Sequence, residues 1–466
     1  MDFYNDIERF GDREALLLEN NESISYSALI RDADRIRGCV RERCLLLNIC
    51  DNRLEAVAGY LGFLRGRIPQ LLLSNNTSSE LIKNLIRIYS PGYLWASRKL
   101  ADDFPDYAAV HAYQDYLLLK AKNPVNYPIH DDLALLLTTS GSTGSPKVVR
   151  QSHRNIVTNA ASIASYLGIS SSDRPITSLP MSYTFGLSVL NSHLLQGASI
   201  VLTSRTIVDK TFWQLLEKHQ VTTLSGVPYT YEMLKRLGFA KMGLPSLRQL
   251  TQAGGKLSIE LSREFAEISR AKGVRFFVMY GQTEASPRMS YLPPEFAAAK
   301  AGSIGVPIPG GEFWLEDEDG RTITKADEVG ELVYRGENVC LGYASSYADL
   351  IKGDENGGVL RTGDLAKRDM DGFYYIVGRN KRFLKIFGNR VNLEDVEMTL
   401  SRNGFKCVCS GEDNKMRIYT TQREKLSEIR TFIVHHTSIP SSGFEVVFID
   451  GFPRNEYGRI RYSLLS

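Results

Sequence analysis

The chain has 466 residues, more than one hydrophobic core ordinarily serves, so at least two domains are expected. Its 43% hydrophobic and 23% charged residues match a soluble globular protein. The 56 basic against 53 acidic residues leave a formal charge of +3, too small by itself to draw nucleic acid or a membrane surface.

The start, Met1–Leu18, scatters Asp2, Asp6, Glu8, Asp12 and Glu14 among apolar residues, whereas a secretory signal is basic and then apolar. No stretch approaches the ~18–20 apolar residues of a membrane span. The cysteines (Cys39, Cys44, Cys50, Cys340, Cys407 and Cys409) lack a zinc spacing and read as reduced and structural. These features favour a cytoplasmic protein of enzyme size with neither a nucleic-acid partner nor a membrane span.

An apolar strand, Leu133–Leu137, runs into a loop of hydroxyls and glycines: Thr139, Ser140, Gly141, Ser142, Thr143 and Gly144, then Pro146 and Lys147. Glycine lets backbone turn sharply and approach a ligand. Successive N–H groups and hydroxyls can then wrap phosphate oxygens, and a lysine adds a point charge. A flexible connector explains the glycines, but not the strand before them and the Pro-Lys after. The Walker spacing G-x-x-x-x-G-K-[ST] fails, because Pro146 stands at its second glycine and Val148 at its final hydroxyl.

Beyond the loop, strand-like runs alternate with helical patterns. Ile200–Leu202 precedes a helix at Thr211–His219, and Val221–Leu224 and Arg275–Tyr280 read as further strands, which suggests α/β structure with parallel sheets. The last of these ends in Tyr280-Gly281-Gln282-Thr283-Glu284: an aromatic able to stack on a base, a hydroxyl, and a carboxylate able to hold Mg²⁺. After about residue 305, Glu312–Glu316, Gly330–Arg335 and Gly372–Val377 read as short strands with glycine-rich turns. Asp364, read in a tight turn, could accept both ribose hydroxyls. The polar, basic segment from Gly378 to Arg382 reads as a boundary.

The loop TSGSTGSPK resembles the phosphate loop of the adenylate-forming superfamily: acyl- and aryl-CoA synthetases, luciferases and peptide-synthetase adenylation domains. Val148 stands where that family usually has Gly. YGQTE resembles its Y-G-x-T-E motif, the GEL…RG…GY stretch from Gly330 to Tyr343 its structural stretch, and Arg361-Thr362-Gly363-Asp364 its TGD motif. The resemblance implies that Tyr280, Gly281, Thr283, Asp364 and Arg379 reach the nucleotide and that Glu284 binds the metal. Gly254 and Gly255 fall where family backbone approaches adenine and acid, although an ordinary loop would read the same. Tyr183, Phe185 and Gly186 fall in the family's aromatic-gated segment, often with His at the first position; the aromatics suit core packing equally. No Asp lies between Leu179 and Leu195 to pair a substrate amine, which disfavours a free amino acid. Lys256 either faces a second acidic group or is solvated.

Toward the C-terminus, Phe383–Gly388 resembles the family loop that serves thioester formation. Lys385 would act in that step, and Lys381 falls at the hinge between the two half-reactions. Glu394 and Glu397 fit the helix that follows. Pro453 and Gly458 keep the spacing of the closing motif, but Arg459 replaces its lysine, and a planar fork is not a compact ammonium.

The architecture so implied is α/β: a large N-terminal region of two α/β subdomains plus a β-rich subdomain (1–379), then a small mobile α+β domain (380–466). The activity implied is AMP-forming ligation, with Lys147, Glu284, Lys385 and Arg459 catalytic. Its cofactors are ATP and Mg²⁺, and its acid a fatty, aryl or other amine-free one. The acceptor is CoA, with the phosphopantetheine of an acyl or peptidyl carrier protein second and an amine third. The rival of another class is a non-catalytic nucleotide- or acid-binding homologue, to which only Arg459 speaks.

Overall fold

The computed structural model describes residues 2–138, 148–317, 319–379, 383–386, 389–437, 439–454 and 460–465. The chain is mixed α/β, with a large sheet-bearing N-terminal region and a smaller C-terminal domain around a three-stranded sheet. It folds into two compact units. One takes residues up to 138, 148–312 and 334–360; the other takes 313–333 and the chain from 361 onward.

The first unit is built on an eight-stranded sheet. Leu46–Cys50, Gln70–Ser74, Tyr93–Ser97 and Leu133–Thr138 run parallel at its centre. Leu46–Cys50 and Gln70–Ser74 are buried along their whole length, as a sheet covered on both faces requires. Its edges are antiparallel: Tyr116–Ala121 and Tyr107–Tyr113 on one side, Val148–Ser152 and Gly342–Ala344 on the other.

A second sheet orders Thr223–Gly226, Gln249–Gln252 and Arg275–Tyr280 in parallel and then adds Ser290–Leu292 and Val306–Pro307 antiparallel. The parallel sheets expected from sequence are therefore mixed sheets with parallel centres. Helices Pro228–Arg236 and Ile259–Ala271 supply the crossovers that parallel pairs need. Arg275–Tyr280 forms as read. Val221–Leu224 does not: Val221 N–H still closes the preceding helix on Leu216 O (2.9 Å), so the strand begins at Thr223. The helix read as Thr211–His219 starts at Lys210, because Asp209 caps it by accepting from Thr211 N–H (2.8 Å).

In the second unit, Thr322–Ile323, Glu312–Glu316, Val329–Arg335, Val359–Arg368 and Tyr374–Arg379 form one five-stranded sheet, in that order. The last strand starts two residues later than read, since Gly372 (φ +87°) closes a turn on Asp369 O (3.1 Å). Next come the hairpin Phe383–Ile386 with Asn389–Asn392, the helix Leu393–Arg402, the hairpin Cys407–Glu412 with Lys415–Thr420, and the helix Leu426–His436. Strand Phe444–Phe448 then returns parallel. Leu384, Ile386, Leu400, Ile418 and Ile433 are among its core. All six cysteines are unbridged thiols, in line with the sequence reading.

Candidate functional site

The glycine-rich loop joins two neighbouring antiparallel strands. Thr138, where the first ends, pairs with Val148, where the second begins, and Val148 also pairs with Ala344. A buried strand residue between two ladders accounts for Val where the resemblance expects Gly. Thr139, Ser140, Gly141, Ser142, Thr143, Gly144 and Lys147 lie outside the described residues. The strand leaving the loop feeds helix His153–Leu167 through a full capping box: Asn155 N–H donates to Ser152 Oγ (3.1 Å) and Ser152 N–H to Asn155 Oδ1 (2.8 Å).

Strand Arg275–Tyr280 delivers the Tyr280–Glu284 turn. Gly281 is obligatory there: a Cβ would stand 1.5 Å from Pro287 O. Gln282 Nε2 donates to the Tyr280 phenol (3.2 Å), and Gln151 Nε2 donates to Thr283 O (2.8 Å). Glu284 is held at both ends. Its carbonyl accepts Cys340 N–H (2.8 Å) and its Oε1 accepts the Tyr343 hydroxyl (2.7 Å). Burial first, then the Glu284 charge, raises the Tyr343 phenol well above its ordinary pKa, so it stays a donor. Arg150 anchors this neighbour. Fully buried, it donates to the carbonyls of Leu341, Tyr343, Lys352 and Gly353 and pairs with Glu355.

No cluster of three or more His, Cys, Asp and Glu residues forms a metal cage among the described residues. A cation at Glu284 would complete its shell with phosphate and water, which suits Mg²⁺.

The segment read as aromatic-gated opens helix Thr184–Leu195, which is buried on every face from Thr184 to Leu194. Tyr183 is half-buried and meets Phe185 edge-on at 6.5 Å. Phe185 and Gly186 are buried, and Phe185 belongs to a cluster with Ile163, Val189, Ala253, Phe277 and Met279. Beside it a narrow pocket is lined by Gln151, Asn159, Thr184, Ser188, Asn191 and Ser286. Gly254 (φ +83°) and Gly255 follow strand Gln249–Gln252, and Gln252 Nε2 donates to Gly255 O (3.0 Å). Lys256 is exposed.

The sequence reading passed over Arg288. Only 2% exposed, it lies over the Phe185 ring at 4.9 Å and donates through Nε to Ser188 Oγ (3.1 Å). The signal available in sequence was a lone arginine four residues past Glu284 in an otherwise small and apolar stretch.

In the second unit Asp364 is 1% exposed and lies opposite Arg379 in the ladder. Its Oδ1 accepts Arg379 Nε at 2.6 Å. The tight turn expected at Asp364 is instead the interior of the long strand Val359–Arg368. Gly363 at φ +69° and a register shift after Leu365 bend it locally, which is why TGD reads as a turn. Gly378 and Arg379 close their strand. Lys385 lies on strand Phe383–Ile386 and Glu397 within helix Leu393–Arg402. The Lys385 side chain, Lys381 and Arg459 lie outside the described residues.

No described helix is long and apolar enough to cross a membrane. Residues 3–344 match the model of the AMP-binding enzyme family. The 2-succinylbenzoate–CoA ligase of Bacillus velezensis is 29% identical over 475 aligned residues, 96% of this chain and 94% of that protein. The Bacillus pumilus ligase of the same name is 33% identical over 57% of this chain and 53% of its own length. Among solved structures, O-succinylbenzoate coenzyme A synthetase of Bacillus subtilis, in complex with AMP, superposes with a TM-score of 0.80 at 23% identity, over 100% of this chain and 98% of that one. The chain belongs to the AMP-binding enzyme family and is an adenylate-forming ligase of the acyl-CoA synthetase kind.

Proposed function

We propose that the chain activates an amine-free carboxylic acid with ATP, releasing pyrophosphate, and passes the acyl group from the acyl-AMP to CoA. The observation that carries this reading is the fixed carboxylate of Glu284, aimed by Tyr343 at the end of the Tyr280–Glu284 turn. Mg²⁺, when bound, offsets the charge that builds on the phosphates during attack. Glu284 would hold it, Lys147 and the hydroxyls of the loop would add donors to the phosphates, and the Asp364–Arg379 pair would hold the nucleotide. Tyr183, Phe185 and Gly186 would line the acid. The relatives named as CoA ligases support CoA over a carrier protein or an amine as acceptor.

In this reading 1–379 forms the adenylating domain and 380–466 a mobile domain hinged at Lys381. That domain would bring Arg459 to the first half-reaction and Lys385 to the second. The enzyme would work in the cytoplasm. Pyrophosphate release across a panel of acids, with and without CoA, tests the proposal. Acid-dependent release followed by CoA-dependent thioester supports it; release that depends on neither acid nor CoA contradicts it.

A further inference from the structure

The turn that carries Glu284 is irregular backbone, and buried side-chain amides answer its carbonyls. Gln151 Nε2 donates to Thr283 O (2.8 Å), and Asn159 Nδ2 donates to Arg288 O (3.1 Å). Asn338 does more. It is only 4% exposed, and its Nδ2 donates both to Ala285 O (2.6 Å) and to Arg288 O (3.1 Å), so one amide spans the turn. The Asn338 carbonyl in turn accepts the Ser286 hydroxyl (3.0 Å). Ser286 stands at φ +59°, a left-handed conformation that a serine keeps only where its surroundings hold it.

Asn338 is itself held. The Tyr334 hydroxyl donates to its Oδ1 (2.8 Å). Burial raises the Tyr334 phenol, against the opposing Asn338 hydrogen bond, so it stays a donor. Oδ1 therefore belongs toward Tyr334, and a flipped amide would set that oxygen against two carbonyls. Gly336 makes the room: a Cβ there would stand 2.5 Å from Asn338 Oδ1 and 2.6 Å from the Tyr334 hydroxyl. Three successive carbonyls around Glu284 are thus fixed from outside the turn: that of Thr283 by Gln151, that of Glu284 by Cys340 N–H (2.8 Å), and that of Ala285 by Asn338.

We propose that Asn338 is a positioning residue, whose amide holds the turn so that the Glu284 carboxylate meets the metal at a fixed angle. This rests on the reading of Glu284 as the metal ligand. Tyr343 aims the carboxylate itself, whereas Asn338 fixes the backbone that bears it.

The test uses Asn338→Ala and Tyr334→Phe, the second of which leaves the amide free to turn. Tyr26→Phe is the control, since it loses a buried hydroxyl bond elsewhere (2.8 Å to Ala198 O). Amide hydrogen exchange is read over residues 283–289 of the unliganded protein, and magnesium binding in the presence of ATP by calorimetry. In Asn338→Ala those amides should exchange about 10-fold faster, and magnesium should bind about 3- to 10-fold more weakly. Single-turnover acyl-AMP formation at saturating magnesium should fall about 10- to 100-fold, while the KM for the acid holds within about 3-fold. Tyr334→Phe should show the same pattern at about 2- to 5-fold, and Tyr26→Phe none of it. Unchanged exchange over residues 283–289 in Asn338→Ala overturns the proposal, as does faster exchange with magnesium binding left at the wild-type value. If Asn338→Ala fails to fold, Tyr334→Phe decides by the same two readings. A wild type that forms no acyl-AMP from any of a panel of acids would count against the ligase reading, and exchange with magnesium binding would still decide Asn338.

Discussion

The Tyr343 hydroxyl donates a 2.7 Å hydrogen bond to Oε1 of Glu284, so a residue on strand Gly342–Ala344 aims a carboxylate that ends a different sheet. Arg150 fixes Tyr343 in turn through its carbonyl (3.1 Å). Tyr343→Phe should raise the magnesium concentration for half-maximal adenylation by about 3- to 10-fold, up to about 1.4 kcal/mol, since both partners are partly solvated. The melting temperature should move little. A magnesium titration of folded variant and wild type checks this; superimposable curves would show that the bond does not position the metal ligand.

Removing Glu284 itself should cost more. Glu284→Ala and Lys147→Ala should each slow acyl-AMP formation by on the order of 10²–10³, the usual loss for one preorganised group facing developing charge. Single-turnover rates on folded protein measure it, and a Glu284→Ala variant as fast as wild type removes that carboxylate from the chemistry.

The C-terminal positions should separate the half-reactions. Lys381→Pro should spare acyl-AMP formation and block transfer to CoA, because proline fixes φ and stops a pivot. Arg459→Ala should slow adenylation by at least about 10-fold and leave transfer from pre-made acyl-AMP nearly unchanged. Arg459→Lys should match or exceed wild type in the first step. Assays of the two steps apart decide the matter; equal losses in both from Lys381→Pro would mean that it is no hinge.

Two buried histidines set an acid limit on stability. Burial, in each case the largest cause, pushes His153 and His193 down to about 4. Nδ1 of His153 meets the Tyr4 hydroxyl (2.6 Å) and that of His193 the Val189 carbonyl (2.8 Å), while Nε2 of each is buried with no partner among the described residues. Above the unfolded value of about 6.5 both states are neutral, so stability is flat. Between about 6.5 and 4 only the unfolded chain takes up the protons, so each histidine removes about 1.4 kcal/mol of stability per pH unit. Denaturant unfolding of His193→Leu from pH 7 to 4.5 should show a shallower fall than wild type. Parallel curves would mean that the imidazole is not held neutral.

The elements legible in sequence were those whose local chemistry is self-sufficient. Arg275–Tyr280 and Glu312–Glu316 are short apolar runs between breakers and form as read. The strand before the glycine-rich loop was equally plain, and it forms over Leu133–Thr138. What failed needed tertiary information. Val221 looks like a strand residue but closes a helix, and Asp364 looks like a turn residue but lies in a bent strand opposite Arg379. The antiparallel edges of both large sheets depend on which strands meet, and alternation along the chain does not record that. Arg288 was hidden for a similar reason: a lone arginine reads as solvated until the fold buries it over Phe185.

An adenylate-forming ligase splits ATP between the α- and β-phosphates to make an acyl-AMP. Mass spectrometry of a single turnover with ATP, magnesium and acid, before CoA is added, tests it most directly. An acyl-AMP should form in amounts equal to the pyrophosphate released and be consumed when CoA is added. ADP and inorganic phosphate in their place would contradict it.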